Sequence, residues 1–327
     1  MKQMKSDLRA YEPVDTFFAL KGADLRRARD DRRYLALSLA DKSGLINGYL
    51  WEDPEDAADC LRGLTYVHVR GMAKMHNGNL ILAIERVRPA ESDEIDVKDF
   101  VETVPGGIDL WMERLLGHVQ FIEDRNCLAL VRAFLADQLI IDKLKISPAG
   151  LSIHHNYAGG LLEHTTNTMS HALYISGKYP ALLDKDLLLT GSFLHDMGKI
   201  KEISSGAAGG YTTEGKLLGH ISLGFAMAEE KIDLIKEFPI DLGLLIKHMI
   251  LSHHGSLEFG SPVRPKTPEA LALHFIENTD AKMNHFYCFL RDFPQDAVWS
   301  NFDKSLDTEL CMLRFRKETK ELLSLEV

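Results

Sequence analysis

Along the first ninety residues the apolar positions alternate. Leu35, Leu37 and Leu39 interleave with Tyr34, Ala36 and Ser38, the period of a strand buried on one face. Asp41-Lys42-Ser43-Gly44 reads as a turn, Leu45 to Trp51 as a second strand and Tyr66 to Met75 as a third. His76-Asn77-Gly78-Asn79 is a hairpin signal that returns the chain through Leu80 to Val87. An earlier strand is expected near Phe17-Phe18-Ala19-Leu20, where adjacency lets at most one phenylalanine point inward; Asp53 to Leu61 is helix-like. Five strands with a helical insert predict a small closed β-barrel of the OB type.

Residues 91–100 are acidic and polar, with Glu91, Asp93, Glu94 and Asp96, and read as a linker. From about residue 108 the period changes, and Leu110, Met112, Leu115, Leu116 and Val119 mark one helical stripe. Further helices are expected at roughly 126–141, 160–178, 184–197, 215–235, 241–252, 268–287 and 304–324, with strand signals nearly absent and no internal repeat. The architecture expected is multidomain α and β. An OB-like nucleic-acid-binding barrel occupies 1–92, a linker 93–107 and an all-α helical bundle 108–327.

Composition adds bounds. A chain of 327 residues favours about two domains, and 45% hydrophobic content supplies ample core. No apolar stretch approaches the ~20 residues that span a bilayer, and Met1 to Asp7 has no apolar h-region. A cytoplasmic location with no membrane partner is therefore expected. Cys60, Cys127, Cys288 and Cys311 form no Cys-x-x-Cys pair, which argues against a zinc ribbon or a disulfide framework. The formal net charge of −10 argues against charge-driven nucleic-acid binding over the whole surface. A local basic segment (Arg26, Arg27, Arg29, Arg32, Arg33 and Lys42) is diluted by Asp24, Asp30 and Asp31.

The histidines point to the chemistry. Of 14, only His68 and His76 precede residue 90. His195-Asp196 closes the apolar run Leu187 to Leu194 and leads into Met197-Gly198-Lys199. Neighbouring residues on a helix point about 100° apart, so this pair can share a cation only where the helix ends; Gly198 fits such an end, and Lys199 adds a positive charge. His164, His220, His253, His254 and Asp280 likewise interrupt apolar helical stretches. Imidazole with carboxylate suits Mn²⁺, Fe²⁺, Co²⁺, Ni²⁺ or Zn²⁺. The ligands suffice for two ions bridged by Asp196, a set that can drive phosphoryl displacement. His171 reads as packing or support, and His248, His274 and His285 as structural or surface residues.

This order of H…HD…H…HH…D on successive helices resembles the HD-domain metal-dependent phosphohydrolases over about 150–285. The fuller string is more specific. It comprises His154-His155-Asn156-Tyr157-Ala158-Gly159-Gly160-Leu161-Leu162-Glu163-His164-Thr165, His253-His254-Gly255, Pro265-Lys266-Thr267-Pro268-Glu269-Ala270 and Asp280-Ala281-Lys282-Met283, all behind an OB-like barrel. Together these resemble the YhaM-type 3′-5′ exoribonucleases. The resemblance implies that His164, His195, Asp196 and Asp280 hold a first divalent ion, and Asp196, His220 and His253 a second, with Mn²⁺ foremost. It implies that His254 completes that site or contacts phosphate, Lys199 neutralises a phosphate oxygen, and His155 contacts the scissile phosphate or orders the loop before His164. The reaction implied is attack of metal-activated hydroxide on phosphorus, release of the RNA 3′-oxygen and liberation of a 5′-mononucleotide.

On the barrel, Tyr34, Tyr49, Trp51, Tyr66 and His68 are candidates for stacking bases of single-stranded RNA or DNA, with core packing as the competing role. Two rivals stand beside the exonuclease: an HD phosphohydrolase acting on nucleotides or cyclic dinucleotides, and a nucleic-acid-binding module that no longer catalyses. The Gly-Tyr-Pro motif of the cyclic-dinucleotide branch is absent, since Lys199 is followed by Ile200-Lys201-Glu202. A homo-oligomer is compatible with the sequence.

Overall fold

The computed structural model describes residues 3–28, 30–76, 78–96, 99–100, 103–151, 155–204, 210–292 and 297–313. The chain divides into two compact units at 102/103, inside the segment expected as a linker.

The first unit is a closed barrel of β1 (Pro13–Arg27), β2 (Arg33–Asp41), β3 (Gly44–Leu50), β4 (Tyr66–His76) and β5 (Asn79–Pro89), in the order β1-β2-β3-β5-β4. Only β3 and β5 run parallel, from Asn47↔Ile81 to Leu50↔Ile84. This order, with α1 (Pro54–Cys60) between β3 and β4, is the OB arrangement. β1 closes it because it is long and shifts register between Leu20 and Gly22; its first half pairs with β4 and its second with β2. The alternation noted in the sequence fills the interior with Phe18, Leu35, Leu37, Leu39, Val67, Val69 and Leu82. Phe18 points in and Phe17 stays half-buried outside, against Ala19 and Ala40. The first part of the expected linker is fastened to the barrel. Arg88 donates twice to Glu94, at 2.8 and 2.7 Å, and Ile95 and Phe100 pack on Ala19 and Ala40. Asn77 of the hairpin and Arg29 of the basic segment lie outside the described residues.

The second unit is helical: α2 (Ile108–Val119), α3 (Arg125–Leu135), α4 (Gln138–Ile146), α5 (Gly160–Lys178), α6 (Lys185–Leu194), α7 (Lys199–Glu202), α8 (Thr213–Asp233), α9 (Ile240–Ser252) and α10 (Pro268–Asp292). Two expectations need correction. The single helix expected at 126–141 is two, because the Asp137 carboxylate accepts from Leu139 N and Ile140 N and starts α4. The helix expected at 304–324 is absent over 304–313, where Asp303 accepts from Ser305 N and Leu306 N and pairs with Thr308 in a turn; 314–324 lie outside the described residues. α5, α6, α9 and α10 pack around Leu161, Met169, Leu188, Phe193, Ile246, Met249 and Leu273, all fully buried. α6 is buried on every side from Leu187 to Leu194, so its C-terminal end opens in the middle of the unit. Among the described residues no helix is long and apolar enough to cross a membrane.

Candidate functional site

α6 delivers its polar end into this apolar surrounding. The helix stops at Leu194, His195 and Asp196 follow in a turn, and both are buried. Gly198 does not act as a left-handed helix stop, as the sequence suggested; its φ is −62°. Its missing side chain is what matters, since a Cβ there would stand 1.9 Å from the His220 carbonyl oxygen. The glycine therefore lets α8 approach the His195-Asp196 turn. Inside α8 the helix breaks at Gly219, whose φ of 70° suits glycine, and restarts at His220. The His220 N–H freed by the break donates to Glu202 Oε1 at 2.9 Å.

Two groups of donor atoms meet at Asp196. His164 Nε2 and His195 Nε2 are 3.2 Å apart, and each lies 3.5 Å from Asp196 Oδ2. His220 Nε2 and His253 Nε2 each lie 3.5 Å from Asp196 Oδ1. Nitrogens and oxygens about 2.1 Å from one cation leave such separations between themselves. His254 joins the second group, with ligand atoms of His220, His253 and His254 within 4.8 Å of one another.

The other ring nitrogens explain why these atoms face inward. Nδ1 of His195 donates to Ser192 O at 2.8 Å, that of His253 to Ile250 O at 2.8 Å and that of His254 to Phe259 O at 2.7 Å. A carbonyl only accepts, so each Nδ1 carries the proton and each Nε2 keeps its lone pair. Carboxylates do the same elsewhere: Asp280 Oδ2 lies 2.6 Å from His164 Nδ1, and Glu202 Oε1 3.2 Å from His220 Nδ1. Histidines held this way present Nε2 in the tautomer that metal-ligating histidines use. Among the described residues, His220 Nε2, His253 Nε2 and Asp196 Oδ1 are buried with no hydrogen-bond partner. Buried polar atoms without partners are costly, and a cation satisfies them, so the residues present fit divalent metal.

Electrostatics agree. Burial pushes His195 down to about 3, His253 to about 4 and His254 to about 3, keeping them neutral. Burial raises the Asp196 carboxyl, but Lys199 and His195 beside it outweigh this and hold it well below the ordinary carboxylate range. Lys199 Nζ stands 2.6 Å from Asp196 Oδ2. Burial lowers His164, yet the bond to Asp280 prevails and its pKa is raised.

Other candidates fall into place less directly. Asp280, expected as a ligand of the first ion, has its Oδ2 2.6 Å from His164 Nδ1, the ring nitrogen that faces away from Asp196, and with His155 and His164 it forms a further group of donor atoms within 4.8 Å of one another. His155, pushed down to about 3 by burial, lies 3.6 Å from Asp280 Oδ2, and its N–H donates to Asn284 Oδ1 at 2.7 Å. His154 lies outside the described residues. His171 is exposed, so it neither packs nor supports. His274 takes the structural of its two expected roles, its Nδ1 donating to His253 O at 2.9 Å.

Nothing in the sequence pattern points to Glu202, whose partner lies 18 residues on, across the Gly219 break. Nor did it single out Glu163, whose Oε2 accepts from the Tyr157 hydroxyl at 2.6 Å while Asn284 donates to that hydroxyl at 3.0 Å; burial raises Glu163 to about 7. Its adjacency to His164 was the only signal.

On the barrel, Tyr34, Tyr49 and Trp51 come together on the outside of β2, β3 and the residue after β3. The Tyr34 and Trp51 rings stack at 4.7 Å, Tyr49 lies 5.9 Å from Tyr34, and the Arg32 guanidinium lies 5.1 Å from the Trp51 ring. Tyr66 and His68 do not join them. Tyr66 packs on Phe100 at 4.9 Å, and His68 on Phe17 at 4.6 Å, with its Nε2 2.8 Å from Asp15.

The HD domain family matches residues 161–282. The chain is similar to a protein named 3′-5′ exoribonuclease YhaM from Bacillus velezensis, at 36% identity over 83% of this chain and 86% of that protein. It is similar to the protein of the same name from Bacillus subtilis, at 35% identity over 84% and 86%. Among solved structures, the second OB-fold domain of replication protein A from Methanococcus maripaludis matches 28% of this chain and 97% of its own, at 20% identity and a TM-score of 0.23.

Proposed function

Because the chain belongs to the family of the YhaM-type 3′-5′ exoribonucleases, we propose that it removes nucleotides one at a time from the 3′ end of single-stranded RNA, using two divalent cations and releasing nucleoside 5′-monophosphates. The observation that carries this reading is the convergence of four Nε2 atoms on the two oxygens of Asp196. His164, His195 and Asp196 would hold one cation; Asp196, His220 and His253 the other, with His254 beside it. Mn²⁺ is the ion we put first; imidazole and carboxylate donors without thiolate also accept Fe²⁺, Co²⁺, Ni²⁺ or Zn²⁺. When bound, two such ions activate water and stabilise both the entering and the departing oxygen of a displacement at phosphorus.

The chain's own residues do the rest. Asp280 and Glu202 fix the rings of His164 and His220 and hold the proton at Nδ1. Backbone carbonyls do so for His195, His253 and His254. Lys199 supplies a fixed positive charge against which a non-bridging phosphate oxygen can lie. The apolar shell of α5, α6 and α9 keeps the dielectric low around these charges. No protein nucleophile is needed. The stacked Tyr34 and Trp51 of the barrel offer sequence-tolerant contact to bases, as a single strand requires.

The test uses an RNA oligonucleotide labelled at its 5′ end and incubated with the protein and Mn²⁺. A ladder shortening from the 3′ end, with nucleoside 5′-monophosphates as product, supports the reading. An intact strand, while free nucleotides or cyclic dinucleotides are hydrolysed, overturns it.

A further inference from the structure

Beside the candidate metal centre the helical unit carries an open cleft of about 570 Å³ that the reading above leaves without a role. Its size lies within the ~300–1,000 Å³ of small-ligand sites. His254 forms part of its wall, and the His254 ring lies 4.3 Å from that of His253 and 5.1 Å from that of His220. The cleft therefore begins where the second group of donor atoms ends. A phosphate held by those donors would have the remainder of its nucleotide directed into this space.

Two lining side chains suit that remainder. Phe259 ends a short 3-10 turn, Leu257–Phe259, and its side chain is 69% exposed. The turn is fixed: the Phe259 carbonyl accepts from His254 Nδ1 at 2.7 Å, and Phe259 N donates to Ser256 O at 3.1 Å. An aromatic ring held at the edge of a cleft and open to water is a stacking surface. Glu277 is the one carboxylate among the lining residues. Burial raises the Glu277 carboxyl to about 7; in its ionised form, dominant above that pH, it accepts hydrogen bonds, and the 3′-terminal ribose is the one sugar of a strand that presents two adjacent hydroxyl donors. Lys282 and Lys304 on the same walls add positive charge toward a polyanion.

We propose that this cleft seats the 3′-terminal nucleoside of the strand, its base against the Phe259 ring and its 2′- and 3′-hydroxyls on the Glu277 carboxylate. The proposal rests on the exoribonuclease reading and adds how a free 3′ end is recognised.

Two measurements test it. Calorimetric binding of AMP to the Mn²⁺-loaded protein should weaken at least fivefold in Phe259→Ala, equivalent to about 1 kcal/mol, and recover in Phe259→Trp. Oligonucleotide turnover should show the same change in KM with kcat held. Separately, the wild-type protein should shorten a strand ending in a ribonucleotide at least tenfold faster than one ending in a 2′,3′-dideoxynucleotide, and Glu277→Gln should bring that ratio to within twofold. Phe259 is exposed and Glu→Gln preserves shape, so both variants should keep the wild-type circular dichroism spectrum. AMP affinity indifferent to Phe259→Ala, or an end preference unchanged in Glu277→Gln, overturns the assignment. If the wild-type protein leaves oligonucleotides intact, the exoribonuclease reading fails, and AMP binding still decides the cleft.

Discussion

At Asp196 one side chain serves two sets of neighbours. Its Oδ2 faces His164, His195 and Lys199, and its Oδ1 faces His220 and His253. The arrangement works only while each imidazole keeps its proton on the outer nitrogen. Glu202 performs that task for His220 and also accepts the His220 backbone N–H. Glu202→Ala should therefore lower metal affinity about 10- to 100-fold, the usual cost of losing such a support, with little change in helix content. Titration with Mn²⁺ followed by circular dichroism separates the two; unchanged affinity would refute the role. The sequence made His195-Asp196 legible because two ligand-type residues ended an apolar run. Glu202 stayed hidden because Lys199-Ile200-Lys201-Glu202 has the look of a solvated helix end, and its partner is near only after the chain breaks at Gly219.

The elements are arranged around close approaches. α8 meets the turn after α6 across Gly198, where any side chain would collide with the His220 carbonyl. Gly198→Ala must push α8 away or strain the turn, at a cost of about 1–3 kcal/mol. It should also lower metal affinity, because His220 moves with α8. Thermal unfolding checks the first; a variant as stable as the parent would contradict the packing argument. In the barrel, alternation of Leu35, Leu37 and Leu39 announced β2 because one face is buried, and that same alternation put Tyr34 outside with Trp51. Trp51→Ala should weaken binding of a single-stranded oligonucleotide by about 1–3 kcal/mol, read by fluorescence anisotropy, whereas His68→Ala should not, since His68 packs with Phe17 and Asp15. Element boundaries were less legible. Ala136-Asp137-Gln138 contains neither glycine nor proline, so the cap that separates α3 from α4 was silent in periodicity. After Asp303, where the sequence predicts a helix, the Asp303 carboxylate instead accepts from the backbone N–H of Ser305 and Leu306 and holds a turn.

At the scale of the whole molecule, a folded unit that holds several buried neutral imidazoles is sensitive to acid. His155, His195, His253 and His254 are held by burial at about 3, 3, 4 and 3, whereas in the unfolded chain a histidine titrates near 6.5. Between about pH 6.5 and 3 the unfolded chain binds protons that the folded unit refuses, so stability is fully present above 6.5 and falls as the pH drops. His164, Glu163 and Glu277, whose pKa values are raised (the two carboxyls by burial, to about 7), oppose this in part, their contributions being present at low pH and lost as the pH rises, but four imidazoles outweigh them. The net expectation for EDTA-treated protein is a melting temperature of the helical unit that falls stepwise from pH 7.5 to pH 5; a flat or rising profile would contradict it. Mn²⁺ should raise that temperature at pH 7.5 and do less at pH 5, because protons compete for the same nitrogens. All of this depends on side chains from four separate stretches of chain sharing one carboxylate between two cations. Anomalous diffraction from Mn²⁺-soaked crystals tests it most directly. The account expects two peaks flanking Asp196, one within about 2–2.3 Å of His164 and His195 nitrogens and the other equally close to those of His220 and His253. No peak at Asp196, or a single ion bound elsewhere, would contradict it.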